Sequence, residues 1–261
     1  MKTLLSPKNL KLLIPGCGLL GLALRLLMTA TGTDGKGLIQ AGHPAWILLL
    51  VVSAAAVLVL LAATRSLRGP GAYRSSFPAS AFGAVGGVLA AASAAVAAFR
   101  YFQTGPVITG RPTLLSIAGF YLCGAVMVLA AVSFVVTAIC RLTERKPNFL
   151  LHVVICIYFA LQMLSLYQTW SFDPQLQDYC FELFACIALT MTAYELASFD
   201  LGSGSHRKLW FWGLAATYLC CLCLPSGLFF PTCGIWAWTD LTSLRRPRQR
   251  RHAVEETPAA E

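Results

Sequence analysis

Charge is what this chain has least of. Only 12% of its 261 residues are Asp, Glu, Lys or Arg, and 57% are hydrophobic. A soluble domain carries roughly 25% charged residues. A water-soluble fold of this length would leave far too much apolar surface in water, so lipid is the expected solvent. Strand-like alternation is missing as well. The long Leu, Ala and Val runs therefore predict helices, which satisfy their own backbone in lipid, rather than a barrel. Catalytic signatures are absent too. There is no H-E-x-x-H and no G-x-S-x-G, and no helix face presents a paired-acid signature. The four histidines, His43, His152, His206 and His252, lie near span ends or in loops, with no pair at metal-ligand spacing. No enzyme, metal or cofactor is expected.

What is present is a series of apolar stretches. They run from about Leu10 to Ala30, His43 to Thr64, Phe77 to Phe102, within the interval Arg111 to Arg141, Asn148 to Trp170, and Pro174 to Phe199. Each reaches or exceeds the roughly 20 residues that span a bilayer. Arg25 and the lack of a clear small-x-small site argue for a retained first helix rather than a signal peptide.

The basic residues between these stretches fall mostly on alternate connections. Arg65, Arg68 and Arg74 mark one cytoplasmic loop, and Arg141, Arg145 and Lys146 a second. His206, Arg207 and Lys208 mark a third. Asp173 and Asp178 then fall outside, as do Arg100 and Arg111, the imperfect part of the pattern. The net charge of +9 is thereby read as topology. Nucleic acid is not expected as a partner, because no recognition motif accompanies the charge.

The last apolar region, Leu209 to Leu244, is long for one span and short for two. Pro225-Ser226-Gly227 punctuates it. The tail carries Arg245, Arg246, Arg248, Arg250 and Arg251 and belongs in the cytoplasm, which requires an even number of crossings. The expectation is an all-α polytopic bundle with eight spans and both termini inside. The final two would be Leu209–Leu224 and Leu228–Leu244. Seven spans, or a final hairpin that re-enters without crossing, are the alternatives. Residues 1–244 would form one transmembrane domain. Residues 245–261 would be a disordered tail, basic then acidic, whose arginines meet anionic lipid head groups at about 1 kcal/mol each.

Three constellations stand out. In the third span Gly83, Gly87, Ala91 and Ala95 form a small-xxx-small ladder that lets another helix approach. Packing within the chain is the plain reading, and homo-oligomerisation the other. In the fifth span Tyr158, Gln162, Ser165 and Thr169 share a stripe at i, i+4, i+7, i+11. Such a stripe faces the bundle interior, either for hydrogen bonding between helices or to line a ligand site. In the sixth span Glu182 lies about two turns from the outer end and Glu195 about one turn from the inner end. Glu195 can pair with Arg207 or Lys208. Glu182 is the stronger functional candidate, because an intramembrane carboxylate is expensive unless paired or protonated. Arg25, in the first span, either snorkels or pairs with Glu182.

Most of the ten cysteines lie in spans, and Cys220-Cys221-Leu222-Cys223 is their one cluster. Small, soft packing residues are the plain reading. The cytoplasmic loop Asp200-Leu-Gly-Ser-Gly-Ser-His-Arg-Lys208 lacks both phosphate-binding glycine motifs and reads as a flexible turn.

The stretch Trp170-Ser-Phe-Asp-Pro-Gln-Leu-Gln-Asp-Tyr179, with Ala193-Tyr-Glu-Leu-Ala-Ser-Phe-Asp200, resembles uncharacterised multi-spanning membrane proteins of anaerobic Firmicutes. The resemblance covers the fifth and sixth spans. It implies a bacterial cytoplasmic membrane and brings no activity with it. Expected functions are a small permease-like carrier or an accessory membrane subunit, with Glu182, Gln162, Tyr158, Ser165 and Thr169 as its site. The rival is a scaffold or sensor acting through helix contacts, and third an intramembrane enzyme. A cavity reaching Gln162 and Glu182 would favour the carrier. A solid core with an exposed Gly/Ala face on the third span would favour the scaffold.

Overall fold

A computed structural model describes residues 7–32, 42–65, 67, 70–105, 114–170 and 176–245. The side chains at 7–8, 70, 114–116, 168–170 and 176–179 fall outside that description. So do Arg68, Arg111, Asp173, Asp178, Thr169 and the tail from Arg246, including Arg248, Arg250 and Arg251.

The chain is an all-α bundle. Its helices are α1 (Pro7–Thr31), α2 (Pro44–Thr64), a single turn α3 (Tyr73–Ser76), α4 (Ala81–Thr104), α5 (Leu114–Thr143), α6 (Phe149–Trp170), α7 (Leu176–Asp200), α8 (His206–Leu222) and α9 (Phe229–Ser243). Local chemistry sets several ends. The His43 ring accepts from the Ala45 N–H at 3.3 Å, and Pro44 begins α2 where its missing N–H costs nothing. Ser80 caps α4 by accepting from Gly83 N–H at 3.1 Å. α4 stops at Gly105, whose φ of 69° is open to glycine.

Six helices, α1, α2, α4, α5, α6 and α7, are long and apolar enough to cross a membrane. Their outer faces present large apolar side chains such as Leu58, Leu122, Phe99 and Leu12. On a soluble monomer so much contiguous apolar surface would be anomalous; against acyl chains it is the required finish.

The expected seventh and eighth spans differ from the rest. α8 has 17 residues and α9 has 15, about 26 Å and 23 Å at 1.5 Å per residue, against a hydrocarbon core of about 30 Å. A 3₁₀ turn, Leu224–Ser226, joins them into a hairpin. α8 packs on α1, α7 and α9 and touches α2, while α9 packs on α4 and α8. The remaining helices follow one another around it, α4 on α5, α5 on α6, α6 on α7. The two short helices are thus largely surrounded by other helices. Where α5, α6 and α9 meet, the rings of Phe134, Phe159 and Trp236 lie 5.2–6.1 Å apart, and all three side chains are buried.

The starts of α1, α4, α6 and α8 and the ends of α5, α7 and α9 gather at one end of the bundle, termed proximal; the opposite end is distal. A two-residue antiparallel pair, β1 (Pro70–Gly71) with β2 (Gly204–Ser205), ties the α2–α4 and α7–α8 connections together at the proximal end. Gly71 and Gly204 are paired there. Phe199 occupies the space a Cβ on either would need.

Candidate functional site

The hairpin tip brings three distant parts of the sequence together. Arg25 projects from α1 and is buried to 3% exposure. Its Nη1 donates to the carbonyl of Leu222, the last residue of α8, at 2.7 Å. Its Nη2 lies 3.7 Å from Glu182 Oε1 on α7, and the guanidinium carbon stands 5.9 Å from the Phe181 ring centroid. Glu182, equally hidden, also accepts a hydrogen bond from the Ser226 hydroxyl on the 3₁₀ turn. Of the two readings for Arg25, snorkelling and pairing, the geometry is that of the pair. Each partner answers the desolvation of the other, and the guanidinium also satisfies a carbonyl that the end of α8 leaves unpaired.

Beside this pair is a cavity of about 950 Å³. Glu182, Arg25 and Ser226 line it, with Gln162 and Leu166 from α6, a row of α4 residues from Leu89 to Arg100, and the start of α9. The walls are largely apolar, and the polar groups converge near the hairpin tip. That is the usual composition of a small-molecule site.

The stripe on α6 is divided. Gln162 reaches the cavity. Tyr158 is fully buried but lies in the aromatic packing, its ring 5.5 Å from that of Phe159 and 6.1 Å from that of Phe229. Ser165 is exposed on the bundle exterior and does not face inward as expected. Thr169 lies outside the described side chains.

The small-residue ladder on α4 is used within the chain. Gly83, Gly87 and Ala91 are buried. A Cβ on Gly87 would stand 3.0 Å from Ala138 Cβ on α5, and one on Gly86 would overlap Thr239 on α9. Ala95 is exposed. The buried face continues instead through Ala94 and Ala98, because a 3.6-residue helix drifts away from a strict four-residue ladder. Close packing of α4 against both α5 and α9 is the result.

The proximal end holds a second set of charges that residue-by-residue reading missed. Arg141 at the end of α5 pairs with Asp240 on α9 at 3.0 Å, both buried. The guanidinium carbon of Arg141 lies 3.8 Å from the Phe77 ring centroid and 5.1 Å from that of Tyr73. His152 Nδ1 is 2.6 Å from Asp200 Oδ2. His206 Nε2 is 3.3 Å from the Ser76 hydroxyl. His152, near the start of α6, thus meets a carboxylate 48 residues further along the chain. The available signals were Asp240, an acid one turn after Trp236 in an otherwise apolar helix, and Asp200, which α7 carries to its last residue. The expected contact between Glu195 and Lys208 is present at 3.9 Å. Burial drives the Tyr73 phenol, in the α2–α4 connection, up to about 12.

All ten cysteines are free thiols. Among the described residues no group of three or more His, Cys, Asp or Glu side chains is arranged to hold a metal ion. Set against family models, curated proteins and solved structures, the chain finds no match.

Proposed function

We propose that this chain is a small permease-like carrier, or the ligand-binding subunit of one, whose site is the cavity at Glu182 and Gln162. In this reading six helices cross a bacterial cytoplasmic membrane and the proximal end faces the cytoplasm. The α8–α9 hairpin re-enters from that side. Ser226 at its tip meets Glu182, which lies about 9 Å along α7 from the first residue of that helix. With six crossings plus a hairpin that returns, both termini remain cytoplasmic, and Arg245 and the arginines after it lie near anionic lipid head groups.

One observation carries the proposal: a cavity of about 950 Å³ that reaches both Gln162 and Glu182 and is floored by a buried ion pair. Intramembrane charges cost several kcal/mol and are kept chiefly where substrates or ions are handled. A discontinuous helical hairpin whose turn lies at membrane depth is a recurrent way of building such a site. The proximal end supports the same reading. There Arg141–Asp240, His152–Asp200 and Ser76–His206 join helices across the bundle, so the cavity at the tip does not continue through. The scaffold reading has less support, because α4 spends its small residues on α5 and α9.

The test is a thermal-shift ligand screen on the purified protein, with Glu182→Gln and Gln162→Leu as controls. A true ligand stabilises the native protein and loses most of its effect in both variants. Hits that stabilise all three proteins equally would remove the site. Labelling of Ser226→Cys and Arg245→Cys in intact cells tests the topology. Arg245→Cys should be protected from an impermeant maleimide applied outside, and labelling there would overturn the proposed orientation.

A further inference from the structure

The hairpin tip presents two helix ends of opposite polarity, and the structure treats them differently. The negative end, the last turn of α8, is answered: Arg25 donates to the Leu222 carbonyl at 2.7 Å. The positive end, the start of α9, is not answered by any side chain. Its N-cap Leu228 makes no capping hydrogen bond. Leu228, Phe229 and Phe230 all line the cavity. The first N–H groups of a helix have no partner inside it, and they carry its positive partial charge.

The side chains agree in sign. Two arginines, Arg25 and Arg100, line the cavity against one carboxylate, Glu182, which leaves one formal positive charge. That carboxylate is already held by Arg25 and by the Ser226 hydroxyl. Arg100 is exposed on the α4 wall, and no acid other than Glu182 lines the cavity among the described residues. Apart from the neutral polar Ser93, Gln162, Ser226 and Thr232, the walls are apolar, with Leu89, Val96, Leu166 and Phe230.

We infer, on the basis of the carrier reading above, that the cavity at Arg25, Glu182 and Arg100 takes an anionic group borne on an apolar body. The anion would be a carboxylate or phosphate, either on a free organic anion or on an anionic lipid. A cation there meets Arg100 and the positive end of α9. A neutral ligand gives the Arg100 charge no counter-ion. An anion meets both, and the apolar body fills the space between α4 and α6.

The experiment uses three probes with the same eight-carbon body: octanoate, octylammonium and octanol. Each is titrated against the full chain in detergent, with thermal stabilisation as the readout. Octanoate should stabilise the protein, and octylammonium should not. Arg100→Gln, at an exposed position that does not endanger folding, should weaken the apparent octanoate affinity about ten-fold, as for a lost charge-assisted hydrogen bond. Octylammonium binding as well as octanoate, or octanoate binding unchanged by Arg100→Gln, overturns the inference. If octylammonium or octanol binds and Gln162→Leu abolishes it, the cavity remains a ligand site and only its sign is wrong. If no probe binds, both the anion class and the carrier site fail. A final arm separates the two sources. Competition with octanoate by phosphatidylglycerol but not phosphatidylcholine in nanodiscs assigns the anion to lipid, and no competition by either assigns it to a free solute.

Discussion

Removing one partner of the Arg25–Glu182 pair is the most informative perturbation this structure offers. Both side chains are 3% exposed and 3.7 Å apart. Glu182→Gln leaves a buried guanidinium without its counter-charge, and Arg25→Met leaves a buried carboxylate. Each should cost about 3–5 kcal/mol, as for other buried pairs broken on one side. The double variant Arg25→Met/Glu182→Leu removes both charges together, so it should lose less than either single variant. A double-mutant cycle should then return a coupling of about 2 kcal/mol or more. The charge swap Arg25→Glu/Glu182→Arg gives a sharper contrast. It restores opposite charges but places a carboxylate at the end of α8, where the Leu222 carbonyl now accepts from Arg25 at 2.7 Å. That unfavourable placement costs up to ~2 kcal/mol, so the swap should rescue only in part, and less well than the apolar double. The assay is reversible unfolding in mixed detergent micelles, followed by Trp fluorescence. Single variants costing under about 1 kcal/mol with no measurable coupling would mean that water solvates the pair, and the reasoning for a buried site would fall with it. Full rescue by the swap would refute the role assigned to the α8 end.

Other expectations follow from packing and charge elsewhere. Asp240→Leu should cost about 3–5 kcal/mol by stranding Arg141, and Phe77→Leu about 1 kcal/mol through the lost ring–guanidinium contact; chemical unfolding measures both. Gly86→Ala forces a Cβ onto Thr239 and to within 3.0 Å of the Trp236 backbone. It should destabilise by about 1–3 kcal/mol, whereas Ala95→Leu at the exposed neighbouring position should be silent in the same assay. The Tyr73 phenol is raised from 10.0 to about 12, chiefly by burial. The folded chain therefore holds that proton more tightly than the unfolded chain, and stability should fall as pH rises from about 10 to about 12. Tyr73→Phe should flatten that part of the profile, and an identical slope in the variant would refute the assignment.

The helical bundle and the presence of a carboxylate inside a span at Glu182 were legible in the sequence because both depend on one-dimensional signals. An apolar run of span length and a carboxylate inside it need no knowledge of neighbours. The partner of Glu182 was harder. Arg25 was one of two readings, and only the fold places Leu222 and Ser226 beside it. The α8–α9 hairpin shows where charge counting stops. A basic tail favours an even number of crossings, but parity alone does not separate two full crossings from a re-entrant hairpin. Ser165 failed because a stripe at helical spacing defines a face, not how much of that face a neighbour covers. The partners of Asp240 and Asp200 were not legible because each acid lies near a helix end, where a solvent-facing charge is the default expectation. In the folded chain both turn inward to a side chain from another helix, Asp240 to Arg141 and Asp200 to His152.

Arg25 also bears on the order of events during synthesis. Its two principal partners lie 157 and 197 residues downstream, on α7 and at the end of α8. Until those segments leave the ribosome, the Arg25 guanidinium lacks both of these partners, and a charge within a span is costly to insert. The first helix is therefore among the earliest made and among the last completed. A chain truncated before α7 would hold α1 with its buried arginine but without the carboxylate that answers it. The Arg25 contacts at the hairpin tip thus close the fold from its first helix to its eighth.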